Sequence, residues 1–177
     1  MSQNRVFGIT GWKNSGKTQL VTRLVAEFTR RGYKVSTVKH AHHNFDIDRP
    51  GADSYRHREA GASEVALVSG RRWALMHELR EELEPPLEEI LSRLAPCDLV
   101  LIEGYKREHH PKIEARRVDA SNTAPLAVED PNILAIAADH APEGESLPLF
   151  DLDDVPGMAD FIANAVDLPQ PAEGVLP

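Results

Sequence analysis

The sequence has a single cysteine and no long apolar run. Cys97 alone cannot form a disulfide within the chain, and such cysteine usage suits a reducing compartment. No stretch approaches the roughly 18 apolar residues that span a membrane. No apolar segment follows a basic start, as it would in an export signal. The sequence therefore predicts a soluble cytoplasmic protein that contacts no membrane.

Basic residues are in the minority. The chain has 20 Lys and Arg against 28 Asp and Glu, for a net charge of −8. Non-specific nucleic-acid binding depends on Lys and Arg that neutralise phosphates, so we expect no nucleic-acid partner. A small anionic ligand held in a local pocket remains compatible with this charge.

The length of 177 residues fits one domain with its own core. Residues 167–177 hold three prolines and little apolar material, which is typical of a mobile tail. We therefore predict one domain over residues 1–166 and a mobile tail over 167–177.

Short apolar runs alternate with segments of helical periodicity. The predicted strands are Val6–Thr10, Lys34–Val38, Glu64–Val68, Trp73–His77, Leu99–Ile102, Ile113–Arg117 and Ile133–Ala137. The predicted helices are Lys17–Arg31, Ala52–Ala60, a segment with Leu87, Ile90, Leu91 and Leu94, and a last helix that opens at Pro156. This alternation predicts a mostly parallel sheet with helices on both faces, in which ligands bind at the carboxyl ends of the strands.

The segment Gly11–Thr18 fits the phosphate-loop pattern G-x-x-x-x-G-K-[ST] at every fixed position, between a buried strand and an amphipathic helix. Glycines let backbone N–H groups approach phosphates closely, and the following helix points its positive end at the anion. We expect Lys17 to reach the β- and γ-phosphates and the Thr18 hydroxyl to ligate Mg²⁺. The predicted phosphate-binding residues are Gly11, Asn14, Ser15, Gly16, Lys17, Thr18 and Gln19. The pattern predicts a three-layer P-loop NTPase fold.

A second apolar strand ends in an acid. Glu103 leaves this strand at the ligand side, where a carboxylate holds Mg²⁺ directly or through water. Gly104 would permit close approach to phosphate, whereas Asp98 begins the strand at its opposite end and suggests a structural role.

A polar segment with three histidines, Lys39–His43, precedes Asp46 and Asp48. Three interpretations stay open: a dedicated metal site, a nucleotide or substrate loop, and a plain surface loop. In the second interpretation, Asp46 or Asp48 would ligate Mg²⁺ or orient a water, and Lys39 or His40 would contact an anion. His43 joins His40 among the expected ligand contacts.

Several segments together resemble the molybdopterin-guanine dinucleotide biosynthesis protein B (MobB) family. They are residues 11–18, 37–43, 48–54, 60–62, 72–76 and 101–106. The resemblance implies a GTP-binding accessory protein of molybdenum-cofactor maturation that acts with the guanylyltransferase joining GMP to molybdopterin. It also implies a homodimer and, at most, a weak Mg²⁺-dependent GTPase.

The resemblance also assigns residues. Gly16, Lys17 and Thr18 would hold phosphate and Mg²⁺, Glu103 would contact Mg²⁺, and Asp139 would lie where such folds contact the base. The guanine-reading motif Asn-Lys-x-Asp does not occur in the chain, so the preference for GTP comes from the resemblance.

For hydrolysis, Lys17, Asp48 and Glu103 are the expected catalytic residues. Three arginines are candidate charge donors, and the sequence selects none of them: Arg58, Arg107 and Arg116.

Two alternatives come from other classes. One is an ATP-dependent kinase or ligase, because the strand ending in Glu103-Gly104 also resembles dethiobiotin synthetase; His40, His43 and Lys106 would then bind an anionic substrate. The other is a metallochaperone that uses the histidine segment. Whether molybdopterin itself binds is left open, and Trp73–His77 and the region around Ile113 are the candidate dimer interfaces.

Overall fold

A computed structural model describes residues 5–41, 45–142 and 144–171. In chain order the elements are β1 (Arg5–Thr10), α1 (Lys17–Arg30), β2 (Val35–Lys39), α2 (Asp53–Glu59), β3 (Glu64–Val68), β4 (Trp73–His77), α3 (Leu87–Arg93), β5 (Leu99–Glu103), β6 (Lys112–Arg116), β7 (Ile133–Ala138), β8 (Leu149–Asp151) and α4 (Val155–Ala165). The chain divides into two units, Met1–His40 with Arg93–Pro177, and Ala41–Ser92.

The first unit is built on a six-stranded sheet with the order β2-β5-β1-β6-β7-β8. Each recorded strand pair of this sheet is parallel. The chain leaves β1 toward β2 on one side, whereas β6 lies on the other side of β1. Such a reversal opens a crevice at the carboxyl ends of the strands, which is where ligands bind in these sheets. The phosphate loop follows β1 at this point.

The core of the first unit lies between one face of the sheet and two helices. The α1 helix buries Leu20, Leu24 and Phe28 on one side, as residues spaced three and four apart must. These side chains share a core cluster with Phe7 of β1 and Ile162 of α4. Burial of this apolar stripe fixes the direction of α1 and therefore of its amino terminus.

The second unit contains an antiparallel hairpin of β3 and β4. The hairpin buries one side, where Val65 pairs with Met76. Its other side carries the pair Val68 and Trp73, which are 80% and 71% exposed. The hairpin therefore presents an apolar face.

The structure confirms the predicted α/β class with a mostly parallel sheet. It adds β8, a strand of three residues that is too short to show a periodicity. Helix α1 ends at Arg30, one residue before the predicted end. Leu168, within the predicted tail, packs against the core. Residues 172–177 lie outside the described residues, so the division of the chain at residue 166 stays a prediction. Within the described ranges, no helix is long and apolar enough to cross a membrane.

Candidate nucleotide-binding site

The phosphate loop contains two glycines that no other residue could replace without strain. Gly11 has a φ of 141°, and a Cβ there would lie 2.5 Å from both the carbonyl oxygen of Ala115 and Oγ of Ser15. Gly16 has a φ of 87°, and a Cβ there would lie 2.8 Å from Nε of Arg117. Asn14 adopts the left-handed conformation as well, with a φ of 66°. The loop therefore has the tight curvature that turns backbone N–H groups inward.

The amino terminus of α1 meets this loop. Gly16 is its cap residue, and among the described residues no side chain caps the first turn or adds an acid to it. The first amides of the helix thus keep their hydrogen-bonding capacity, and their dipoles concentrate positive potential at the loop. A phosphate is the ligand that such a terminus favours.

Three lysines reinforce this potential. Nζ of Lys17 donates to the carbonyl oxygen of Trp12 at 2.6 Å, and Nζ of Lys106 lies 3.8 Å from the centroid of the Trp12 ring. Burial lowers the pKa of Lys17, and the like charges of Lys106 and Lys39 lower it further, against the opposing effect of Glu103. In a chain of net charge −8, this concentration of cations indicates an anion site.

The structure brings together Thr18 and Glu103, two of the three side chains expected at Mg²⁺. Oγ1 of Thr18 donates to Oε1 of Glu103 at 2.7 Å, and Glu103 is 8% exposed. Register fixes this geometry, because Ile9, just before the loop, pairs with Glu103 on β5. A hydroxyl beside a buried carboxylate is a set of hard oxygen ligands of the kind that Mg²⁺ prefers. These residues therefore fit the ion.

Gly104 and His40 lie next to this pair. Gly104 has a φ of 93°, and a Cβ there would lie 3.3 Å from Cβ of His40. The backbone N–H of His40 donates to the carbonyl oxygen of Glu103 at 3.0 Å, and its ring lies 4.6 Å from that of Tyr105. The glycine thus allows the close approach of the two strand ends that brings His40 to the site.

The sequence did not single out Arg117, which lies over the phosphate loop. Its Nη2 donates to Oε1 of Gln19 at 3.2 Å. The neighbouring Arg116, one of the predicted charge donors, instead pairs with Glu114 and Glu145 at 2.7 and 2.8 Å. Arg117 could have been found from its position just after β6, which borders β1.

Asp139, the expected base contact, follows β7. Its Oδ1 accepts from the backbone N–H of Val118 at 3.1 Å and from Nδ1 of His140 at 2.9 Å. The hydrogen bond from His140, together with that from Val118, lowers the pKa of Asp139. A cavity of about 20 Å³ nearby is lined in part by Trp12 and His140.

The second unit holds the other predicted residues. Oδ1 of Asp48 accepts from Oγ of Ser54 at 2.8 Å, and Oδ2 lies 3.5 Å from Nε of Arg58. Arg58 also pairs with Asp46 and Glu78, at 2.9 and 3.0 Å, and these two partners raise its pKa. Asp48 as a magnesium or water-orienting residue stays a prediction.

His43 lies outside the described residues. Across the described part of the chain, no cluster of three His, Cys, Asp or Glu side chains could hold a metal.

A family model described as "Molybdopterin guanine dinucleotide synthesis protein B" matches residues 6–139. The molybdopterin-guanine dinucleotide biosynthesis adapter protein of Escherichia coli K12 is 38% identical over 161 residues, which cover 90% of this chain and 91% of that protein. The adapter protein of Haemophilus influenzae is 40% identical over 169 residues, covering 92% and 90%. Three quarters of this chain thus match the family model.

Solved structures of MobB proteins are similar to this chain. The crystal structure of a MobB homolog from Bacillus stearothermophilus is 31% identical, with a TM-score of 0.70, and the match covers 93% of this chain and 99% of that one. Bacillus subtilis MobB is 26% identical with a TM-score of 0.73, covering 92% and 98%. The family supports the adapter hypothesis, and not the kinase, ligase or metallochaperone alternatives. This chain belongs to the MobB family of molybdopterin guanine dinucleotide synthesis proteins.

Proposed function

We propose that this adapter protein of molybdopterin-guanine dinucleotide biosynthesis binds GTP·Mg²⁺ at the phosphate loop and acts with the guanylyltransferase in the cytoplasm. One observation carries the magnesium part of the proposal: Oγ1 of Thr18 and Oε1 of Glu103 lie 2.7 Å apart, beside a helix amino terminus that has no side-chain cap. The curated relatives supply the biosynthetic role, since their names describe adapters of this synthesis. The guanine base rests on the family resemblance.

In the proposed complex, the phosphates occupy the loop between Gly11 and Thr18. Lys17 exchanges the carbonyl oxygen of Trp12 for β- and γ-phosphate oxygens, which are stronger acceptors because they are charged. Thr18 and Glu103 hold Mg²⁺, which neutralises phosphate charge when bound. Asp139 is the proposed guanine contact.

The surroundings of two of the candidate charge donors, Arg58 and Arg116, support slow hydrolysis. Fast phosphoryl transfer needs a positioned water and a cation that stabilises the developing charge. Arg58 and Arg116 are each engaged with at least two carboxylates. A partner that supplies or frees such a cation would raise the rate.

The apolar face of the hairpin supports the proposed homodimer. Ala66, Val68, Trp73 and Leu75 lie on this face, and all four are exposed. Contiguous apolar surface of this kind marks interaction sites. Trp73→Ser should convert a dimer to a monomer in analytical ultracentrifugation, and a wild-type protein that is monomeric at high concentration would refute the proposal.

A titration of GTP against ATP, each with Mg²⁺, tests the nucleotide. We expect tighter binding of GTP, and faster hydrolysis of GTP when the guanylyltransferase is added. Equal affinities for the two nucleotides, or a preference for ATP, would contradict the proposal.

A further inference from the structure

Lys39 contacts both candidate magnesium ligands. Its Nζ lies 3.1 Å from Oε1 of Glu103 and 3.4 Å from Oγ1 of Thr18. These two oxygens are themselves joined by the 2.7 Å hydrogen bond of the site. The ammonium thus lies against the same pair of oxygens that fits Mg²⁺.

The sheet determines this placement. Lys39 is the last residue of β2, and the parallel register pairs it with Glu103 at the end of β5. The Glu103 side chain is 11% exposed, whereas the Lys39 side chain is 58% exposed. A buried carboxylate needs a counter-charge, because it has lost much of its hydration. A mostly exposed lysine stem can supply that charge and can also move away at small cost.

Lys17 does not fill this role in the structure. Its Nζ donates to the carbonyl oxygen of Trp12 rather than to Glu103. Burial and neighbouring lysines lower the pKa of Lys17, and the charge of Glu103 only partly opposes this shift. In the described part of the chain, the recorded ion pair of Glu103 is the one with Lys39.

We infer that Lys39 is a built-in counter-ion of the magnesium site, which competes with the divalent cation for Glu103 and Thr18. This inference rests on the proposed function. Mg²⁺ takes oxygen ligands at about 2.0–2.1 Å, so a divalent cation on Oε1 of Glu103 and Oγ1 of Thr18 would repel an ammonium that lies 3.1 and 3.4 Å from these atoms. We therefore expect Lys39 to move away from Glu103 when the metal binds, toward the phosphates of a bound nucleotide.

Two consequences follow. Divalent cations should bind weakly to the protein without nucleotide, because they must displace Lys39. Nucleotide without a divalent cation should still bind, because Lys39 offsets the negative charge of Glu103 beside the phosphates. Removing Lys39 should reverse both properties.

The first experiment uses Mn²⁺ alone as the probe, followed by electron paramagnetic resonance on nucleotide-free protein. The charges of Lys39 and Glu103 lie 3.1 Å apart, and in a water-like dielectric their attraction corresponds to about tenfold in affinity. Lys39→Ala should therefore bind Mn²⁺ about tenfold more tightly than wild type. Lys34→Ala is the matched control, because Lys34 is an exposed lysine just before the other end of β2. In a protein that also carries Glu103→Gln, Lys39→Ala should no longer increase the affinity for Mn²⁺. An unchanged or lower Mn²⁺ affinity in Lys39→Ala would overturn the inference.

The second experiment titrates GTP in excess Mg²⁺ and in EDTA. Lys39→Ala should lose about tenfold in affinity in EDTA and much less in Mg²⁺, where the metal replaces the missing charge. Equal losses in both media would make Lys39 an ordinary phosphate ligand and overturn the inference. A wild-type protein that binds no GTP in Mg²⁺ would instead refute the proposed function, and the Mn²⁺ measurement would still decide the competition, because it uses no nucleotide.

Discussion

The phosphate loop and the acidic segment around Asp48 are both polar, yet their charges are arranged differently. In the second unit, Arg58 pairs with Asp46 and Glu78 and lies near Asp48, so carboxylates of the same unit surround the cation. At the phosphate loop, the helix terminus is uncapped among the described residues, and Lys17 donates to the backbone carbonyl of Trp12 rather than to a carboxylate.

The difference separates a folding role from a binding role. A cation that is already surrounded by carboxylates stabilises its own unit and leaves little capacity for an anionic ligand. A site with surplus donors and cations gains free energy when an anion arrives. From the sequence, Asp48 was a further candidate for the magnesium site beside Thr18 and Glu103.

Of the three changes that compare these regions, the one at the glycine of the loop should lower GTP affinity most. Gly16→Ala should cost about 1–2 kcal/mol of stability, because the residue is left-handed. It should also lower GTP affinity about tenfold or more, or about 1.4 kcal/mol, since its Cβ would contact Arg117 and narrow the cradle. Isothermal titration and urea unfolding measure the two quantities. Gly70→Ala is the control, because a Cβ at Gly70 meets nothing within 4 Å. Equal losses of stability and GTP affinity at both positions would show that the conformation of Gly16 is not required for binding.

The second effect falls on the acidic segment. Asp48→Ala should lower the free energy of unfolding by about 1–3 kcal/mol, because Ser54 loses a buried hydrogen-bond acceptor and Arg58 loses a neighbouring carboxylate. If the charges of this unit serve its own folding, GTP affinity should change by less than about twofold, or about 0.4 kcal/mol. Denaturant unfolding and GTP titration on the same samples make the comparison. An affinity loss as large as that of Gly16→Ala would bring Asp48 into the nucleotide site and break the contrast between the regions.

The smallest expected effect is a pH dependence in the hairpin. Hydrogen bonds to Glu64 and Glu82 raise the pKa of His77. A raised pKa means that the folded state holds the proton more tightly, so the added stability is fully present below the ordinary histidine range and is lost as the pH rises through the raised pKa. Thermal unfolding from pH 5.5 to 8.5 should show a larger decline in Tm for wild type than for His77→Gln. If Tm declines equally with pH in wild type and His77→Gln, the ion pairs of His77 contribute nothing to the pH dependence of stability.

The sequence predicted the features that short stretches of consecutive residues specify. All fixed positions of the phosphate loop are consecutive, and α1 shows its apolar stripe directly, so both could be recognised without tertiary contacts. Glu103 could be predicted because an apolar strand that ends in an acid is also a local pattern.

The remaining features depend on strand order and register, which the sequence does not display. Lys39 reaches Glu103 because β2 lies beside β5, although 63 residues separate them. Arg117 lies over Gly16 because β6 borders β1 on the other side. The ion pairs of Arg116 likewise form only in the fold, which is why the sequence could not tell this arginine from its neighbour.

The central claim is that the loop of the first unit binds the phosphates of GTP through Lys17. The most direct test is a titration of GTP with Mg²⁺ into wild type, Lys17→Ala and the control Lys34→Ala, with circular dichroism to verify the fold. We predict saturable binding for wild type and Lys34→Ala, and a loss of at least about 100-fold, or about 2.7 kcal/mol, for a folded Lys17→Ala. Undiminished GTP binding by folded Lys17→Ala would contradict the account.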